Sequence, residues 1–372
     1  MDIMHEVAHI TDKVQALSNI ELAVLICLVA DQHCIIECEE RALDELGREI
    51  SLVASNVFHL THAVLECTEN TSLDEFGNGI LTDEDSESYF GHGSVGMGDI
   101  NLPSVEQVRL TGRRTPKSPR HFSSLDGRRI ANVVIVKGLN LASSQVQVQA
   151  LELVRGRRNF TRTAVHVAPK PFLFIAVNAK DKQPMNTHLT DQMFISHTHQ
   201  ADDEFPNLKR YLGVEHTLDD NASLSSVLRT SPYSVEKSKA SPTSFSRGEL
   251  SQLTALISNT KISSEARAYL HNIVVFMRLH RAVAGGISAM ATRHFAALAH
   301  ALAPLHGLSY VTPSLVALAA RKVYPHRIVL ASPERERSMQ WGSSIDAVKA
   351  VLDGVTVEDV IEEVLQSVEA PL

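Results

Sequence analysis

The chain has few cysteines, no long apolar run, no excess of positive charge and no phosphate-binding glycine loop, and each shortage removes a class of function. Four cysteines in 372 residues, Cys27, Cys34, Cys38 and Cys67, with no secretory features, exclude a disulfide scaffold and read as reduced thiols of a cytoplasmic or nuclear protein. Cys34 and Cys38 with His33 sketch part of a zinc site, but no second closely spaced ligand pair completes it, so buried structural thiols are expected. The longest apolar run near the start, Leu22 to Ala30, is bounded by Glu21 and Asp31. It falls well short of the ~20 residues of a bilayer span, and no basic segment precedes it, so neither a transmembrane segment nor a signal peptide is expected. Asp and Glu number 43 against 35 Lys and Arg, a formal charge of -8. That balance argues against a general polyanion binder, so nucleic acid is not the expected partner.

What is present is a chain with 44% hydrophobic residues, long enough to bury a sizeable core in two or more domains. Its organising stretch runs from Ala131 to Asn178. Two apolar β-rich segments there, Val133 to Val136 and Phe172 to Val177, are separated by about one helix and one hairpin, the spacing of central strands in a parallel sheet. Asn178 ends the second, where open α/β sheets place functional polar groups. Residues 1 to 67 read as helix, strand, helix, strand, with Ser18 and Glu21 forming a capping box before the first helix and CIIEC (Cys34 to Cys38) the first strand. In a phosphate-binding domain the turn after that strand needs glycines, whose N–H groups wrap phosphate, and a Lys. Here it is Glu39, Glu40, Arg41 and Ala42, and no G-x-x-x-x-G-K-[ST] occurs anywhere.

Residues 69 to 129 lack apolar periodicity and read as a loop insert. An acidic stretch (Asp83, Glu84, Asp85, Glu87) leads into GHGSVG from Gly91, a formal G-x-G-x-x-G with no strand before it and no clean helix after it, hence a loop rather than a dinucleotide site. The basic stretch from Arg113 to Arg129 reads as a solvated surface. His188, His197 and His199 cluster near a β-like run from Met193 to Thr198. His-x-His on a strand can present two ligands on one face, but a satisfied histidine pair is commoner, and no metal site is expected. Asn221 to Ser246, Ser-rich with Pro232 and Pro242, marks a linker. From Ser246 the spacing is helical: 250 to 257, 266 to 281, an Ala-rich helix over 284 to 305, one capped by Thr312-Pro313, and a last one capped by Thr356, whose apolar stripe reads as core packing.

An α/β half followed by an all-helical half resembles an AAA+ module with its lid, and within that class the ATPase (I) subunit of magnesium chelatase. The residues that carry the resemblance are ANVVIVKGLNLAS at the Walker B strand, the hairpin NFTRTAVHVAPKPF, FIAVNAK, LTDQMF, and HFAALAHALAPLHGLSYVTPSLVALAARKVYPHRI in the lid. It covers about residues 20 to 330. It implies an AAA+-like α/β domain over 1–220, with a degenerate P-loop turn near 39–43, the linker 221–246, a helical lid over 247–333 and a tail with an amphipathic helix over 334–372. Carried over residue by residue, Asn178 is sensor 1. The Walker B carboxylates fall on Lys137 and Gly138, with Asn140 kept after them. The arginine finger falls on Gln192 beside a retained Asp191, and sensor 2 falls near Met290 with Arg293 one turn away.

Magnesium needs a carboxylate or phosphate partner, and an arginine finger alone is worth ~10³ or more in rate. The resemblance with these losses implies an ATPase-deficient scaffold or regulator that assembles with itself or with AAA+ subunits, and no assured cofactor. The alternatives are an active AAA+ ATPase of magnesium-chelatase type, in which case ATP and magnesium would bind an unconventional site, and a nucleic-acid-associated module.

Overall fold

The computed structural model describes residues 10–82, 127–162, 164–180, 182–200, 203–212 and 243–371. Five strands, β1 (Cys34–Cys38), β2 (His62–Glu66), β3 (Val133–Lys137), β4 (Leu173–Ala179) and β5 (Ile195–Thr198), form one sheet in the order β2-β3-β4-β1-β5. All four pairings are parallel. Strands sandwiched between helices need apolar side chains on both faces, which is why VVIVK and LFIAVNA read as near-continuous apolar runs. Alternate residues then serve two cores. Val133, Ile135, Leu173, Ile175 and Val177 point to one face, while Val134, Val136, Phe174 and Ala176 point to the other.

The first face is covered by α1 (Asn19–Ala30), α2 (Leu43–Leu52) and the C-terminal helices. The second is covered by α3 (Leu73–Gly79), α4 (Ser144–Gly156) and α5 (Thr187–Gln192), while the short α6 (Pro206–Tyr211) is bonded to Glu49 of α2 on the first side. The C-terminal helices are α7 (Arg247–Asn259), α8 (Ser264–Leu279), α9 (Ala289–Leu305), α10 (Pro313–Val323), α11 (Ile345–Leu352) and α12 (Val357–Ser367). Leu298, Leu302, Val316, Val323 and Tyr324 of this helical half lie in the same apolar cluster as Val24, Ile36 and Ile50, so lid and sheet share one core. The stripe on α12 packs inward as expected, with Val360, Ile361 and Val364 buried. The capping boxes at Ser18, Ser246 and Thr356 all form.

Two local expectations are corrected. The reading of 69–129 as loop misses α3, whose capping box Ser72/Glu75 starts a helix too short for periodicity to reveal, and the strand Leu81–Thr82 paired with Arg129–Ile130. The acidic and glycine-rich stretches and the basic residues up to Arg120 lie outside the described residues, as does most of the linker. Its end is anchored, since Phe245 is fully buried and stacks on Phe58. The Ala-rich helix starts at Ala289 rather than 284, because Val283–Gly285 pairs antiparallel with Val329–Leu330. Gly286 follows at φ +96, where a Cβ would sit 1.8 Å from the Arg327 carbonyl oxygen, a position only glycine can fill.

Candidate functional site

The strand order reverses direction between β4 and β1: the chain leaves β1 toward β2 at one edge and leaves β4 toward β5 at the other. Open α/β sheets bind ligands at the carboxyl ends of strands around such a switch point. Register sets the row of residues there. Glu66 of β2 is level with Lys137 of β3, Lys137 with Val177 of β4, Asn178 with Glu37 of β1, and Glu37 with Thr198 of β5. The edge is therefore lined by charged and amide side chains at the ends of apolar strands.

The turn after β1 is a single 3-10 turn, Glu40–Ala42, running straight into α2. Glu39, Glu40 and Arg41 are exposed, and Glu40 pairs with Lys182 at 3.2 Å. α2 carries Asp44 and Glu45 in its first turn, so the positive end of its dipole already faces two carboxylates of its own. The turn therefore presents negative charge at its surface.

Lys137 fills the centre of this edge. Its stem lies against α2 at Gly47, where a Cβ would stand 3.2 Å from Lys137 Cδ. Its Nζ reaches Asp44 Oδ1 at 2.5 Å and Glu66 Oε2 at 3.2 Å. Burial opposes the charge on Lys137, but the bonds to Asp44 and Glu66 outweigh it and hold the ammonium above the ordinary lysine range. The hydrogen bond and charge of Lys137 hold Asp44 below the usual carboxylate range. A cation is thus built into the chain between two acidic groups, and a divalent ion approaching them meets a like charge.

The next residues hold the turn. Gly138 is left-handed at φ +65, donates its N–H to Val177 O at 2.8 Å, and leaves no room for a Cβ, which would lie 2.8 Å from Cys67 O. Asn140 is buried. Its backbone N–H approaches Asn178 Oδ1 at 3.4 Å and its Nδ2 donates to Gln183 O at 2.9 Å, while its own Oδ1 is buried with no partner. Asn140 also lines a cavity of about 570 Å³ with Gln147, Gln183 and Asn186. The structure therefore brings Lys137, Gly138, Asn140 and Asn178 together.

Asp191 and the lid residues form a second group. Asp191 Oδ1 accepts from Ser288 Oγ at 2.5 Å and from Arg327 Nη1 at 3.0 Å, tying α5 to the helical half. Arg327 is 4% exposed and is otherwise saturated by this chain. Its Nη2 donates to Met193 O and to His294 Nδ1, the latter at 2.6 Å, and its Nε donates to His326 Nε2 at 3.1 Å. Burial first, then the charge of Arg327, pushes His294 and His326 each down to about 3. Burial, partly offset by Asp191, lowers Arg327 to about 10. Both imidazoles are therefore neutral acceptors at physiological pH. Gln192 and Met290 are half-buried and Arg293 is exposed, one residue before His294.

Sequence reasoning missed the partners. Glu66 had a signal, since it and Lys137 each end an apolar strand of the same length. Asp44, Ser288 and the two imidazoles around Arg327 had none, because only folding brings them near. Of the histidines, His188 is exposed on α5, while His197 and His199 converge with Asp203, which sequence reasoning did not single out. The four cysteines are buried and free. Among the described residues no helix is long and apolar enough to cross a membrane.

Comparison with known proteins agrees with this architecture. Residues 275–348 match the family described as AAA lid domain. A solved structure from Cytophaga hutchinsonii, provisionally described as an ATPase, superposes with a TM-score of 0.62 over 99% of this chain and 96% of its own, at 13% identity. The chain thus has an AAA+ fold, a parallel sheet domain joined to a helical AAA lid. Among curated proteins, "Maintenance of telomere capping protein 2" of Lachancea thermotolerans is 28% identical over 118 residues, 30% of this chain and 41% of that protein. The match spans less than half of that relative.

Proposed function

We propose that this protein is an AAA+ subunit, similar to the magnesium-chelatase I subunit, that no longer hydrolyses ATP and acts as a scaffold or regulator in an assembly with itself or with active AAA+ partners. One observation carries the reading. Where an ATPase of this architecture presents carboxylates to magnesium and water, Lys137 presents an ammonium that Asp44 and Glu66 already neutralise. The exposed acidic turn after β1, the inward use of Asp191 and the absence of a Walker A motif from the whole sequence support it.

The test is a titration of the purified chain with a fluorescent ATP analogue, with and without magnesium, alongside ATPase turnover and light scattering on a sizing column. The expected result is no magnesium-dependent saturation, turnover at the buffer level, and self-assembly or co-elution with an AAA+ partner. A magnesium-dependent rate well above buffer, lost on denaturing the protein and absent from a mock preparation, overturns the reading in favour of an active ATPase.

A further inference from the structure

We propose that His197, His199 and Asp203 form a binding site for one divalent transition-metal ion of the zinc class. The sequence pattern is His-x-His-x-x-x-Asp at the exit of β5, the edge strand of the sheet. In an extended strand residues i and i+2 share a face, so His197 and His199 project to the same side. One ring nitrogen from each and a carboxylate oxygen of Asp203 lie within 4.8 Å of one another. His199 Nδ1 stands 3.7 Å from Asp203 Oδ2, too far for a hydrogen bond but close to the ~3.4 Å between ligand atoms of a tetrahedral ion with bonds of about 2.1 Å.

Two features separate this group from a chance cluster. The side chain of His199 is only 3% exposed, and its Nδ1, like His197 Nε2, is buried with no hydrogen-bond partner. A buried ring nitrogen left without a partner is costly, and an ion between the two satisfies both. The frame around them is also built. Phe205 stacks on the His199 ring at 4.5 Å and 21°, and the Gln200 N–H holds Asp203 Oδ2 at 3.0 Å. Just beyond, the fully buried Glu49 of α2 accepts from the backbone of Asn207 and Leu208 and from Asn207 Nδ2, at 2.7–3.1 Å, which anchors the segment carrying Asp203 against the domain. Two imidazoles and a carboxylate suit zinc, with water as the fourth ligand. The ion would cross-link the edge strand to the segment entering α6.

The experiment uses the full chain, stripped by dialysis against a chelator and then titrated with zinc against a chromophoric competitor, and with cobalt followed by visible absorption. One equivalent is expected to bind, with the intense bands of tetrahedral cobalt. Affinity should fall about 100-fold or more in His197→Gln and in Asp203→Asn, since even outer partners of a ligand are worth 10–100-fold. His188→Gln should leave it unchanged. Asp203 is partly exposed, so Asp203→Asn tests the site without emptying a core position. No stoichiometric uptake by the wild type overturns the proposal. So does uptake that Asp203→Asn and His197→Gln leave unchanged while circular dichroism shows them folded, or uptake that follows His188.

Discussion

Replacing His294 by Gln tests the buried junction between sheet domain and lid where its chemistry is least forgiving. Arg327 donates to His294 Nδ1 and His326 Nε2, so both nitrogens must stay unprotonated for the junction to exist. The folded pKa of His294, about 3, lies below its unfolded value of 6.5. The unfolded chain therefore takes up the proton first as pH falls. The stability tied to His294 is fully present above pH 6.5 and is lost progressively on acidification toward pH 3. Each pKa unit is worth about 1.36 kcal/mol, so between pH 6.5 and pH 5.0 this one side chain should cost about 2 kcal/mol. Gln keeps an oxygen that can accept from Arg327 and does not titrate. Urea unfolding at pH 7.5 and pH 5.0 measures the difference. His326, lowered to about 3, and His33 and His197, each lowered to about 4, all mainly by burial, add their own acid sensitivity, and they are present in both proteins. The wild type should lose about 2 kcal/mol more than His294→Gln over that interval. Equal losses, to within about 0.5 kcal/mol, would refute the neutral-acceptor account of the junction.

Further predictions concern the same two groups. Arg327→Met strips the guanidinium from Asp191, Met193 O and two imidazoles, and should destabilise by about 3–5 kcal/mol in the same urea assay; a cost below 1 kcal/mol would show that the junction does not hold the lid. Lys137→Met should cost less than about 1 kcal/mol, because Asp44 and Glu66 are exposed and rehydrate. Lys137→Asp puts a third carboxylate beside them, and thermal unfolding should then respond to magnesium or calcium, by about 1.4 kcal/mol at ten times Kd, where the wild type does not. Gly138→Ala forces a Cβ against Cys67 O in a left-handed turn and should cost about 1–3 kcal/mol; an unchanged urea midpoint would show that the turn can relax.

The legible parts of the molecule were those in which neighbouring residues interact. Apolar runs bounded by polar ends located all five strands of the sheet, and caps three residues from their carboxylates located the starts of α1, α7 and α12. Failures came where long-range pairing overrode local preference. Ala284 looks helical from its neighbours, yet Val283–Gly285 is drawn into a ribbon with residues more than forty positions later. Asp203 and the acceptors of Arg327 carried no local signal.

Residue spacing and caps thus carried the five strands of the parallel sheet and the main helices of its lid, because each depends on side-chain period or on residue identity at one position, while the short α3 and the Val283–Gly285 ribbon left no such trace. The partners of Lys137 and Asp191 came from folding alone. Parallel register set Glu66 beside Lys137, the packing of α2 on the sheet delivered Asp44, and the docking of the lid turned Asp191 inward to Arg327. A charge is assigned its partner by distance, and proximity between remote residues exists only once the core has closed.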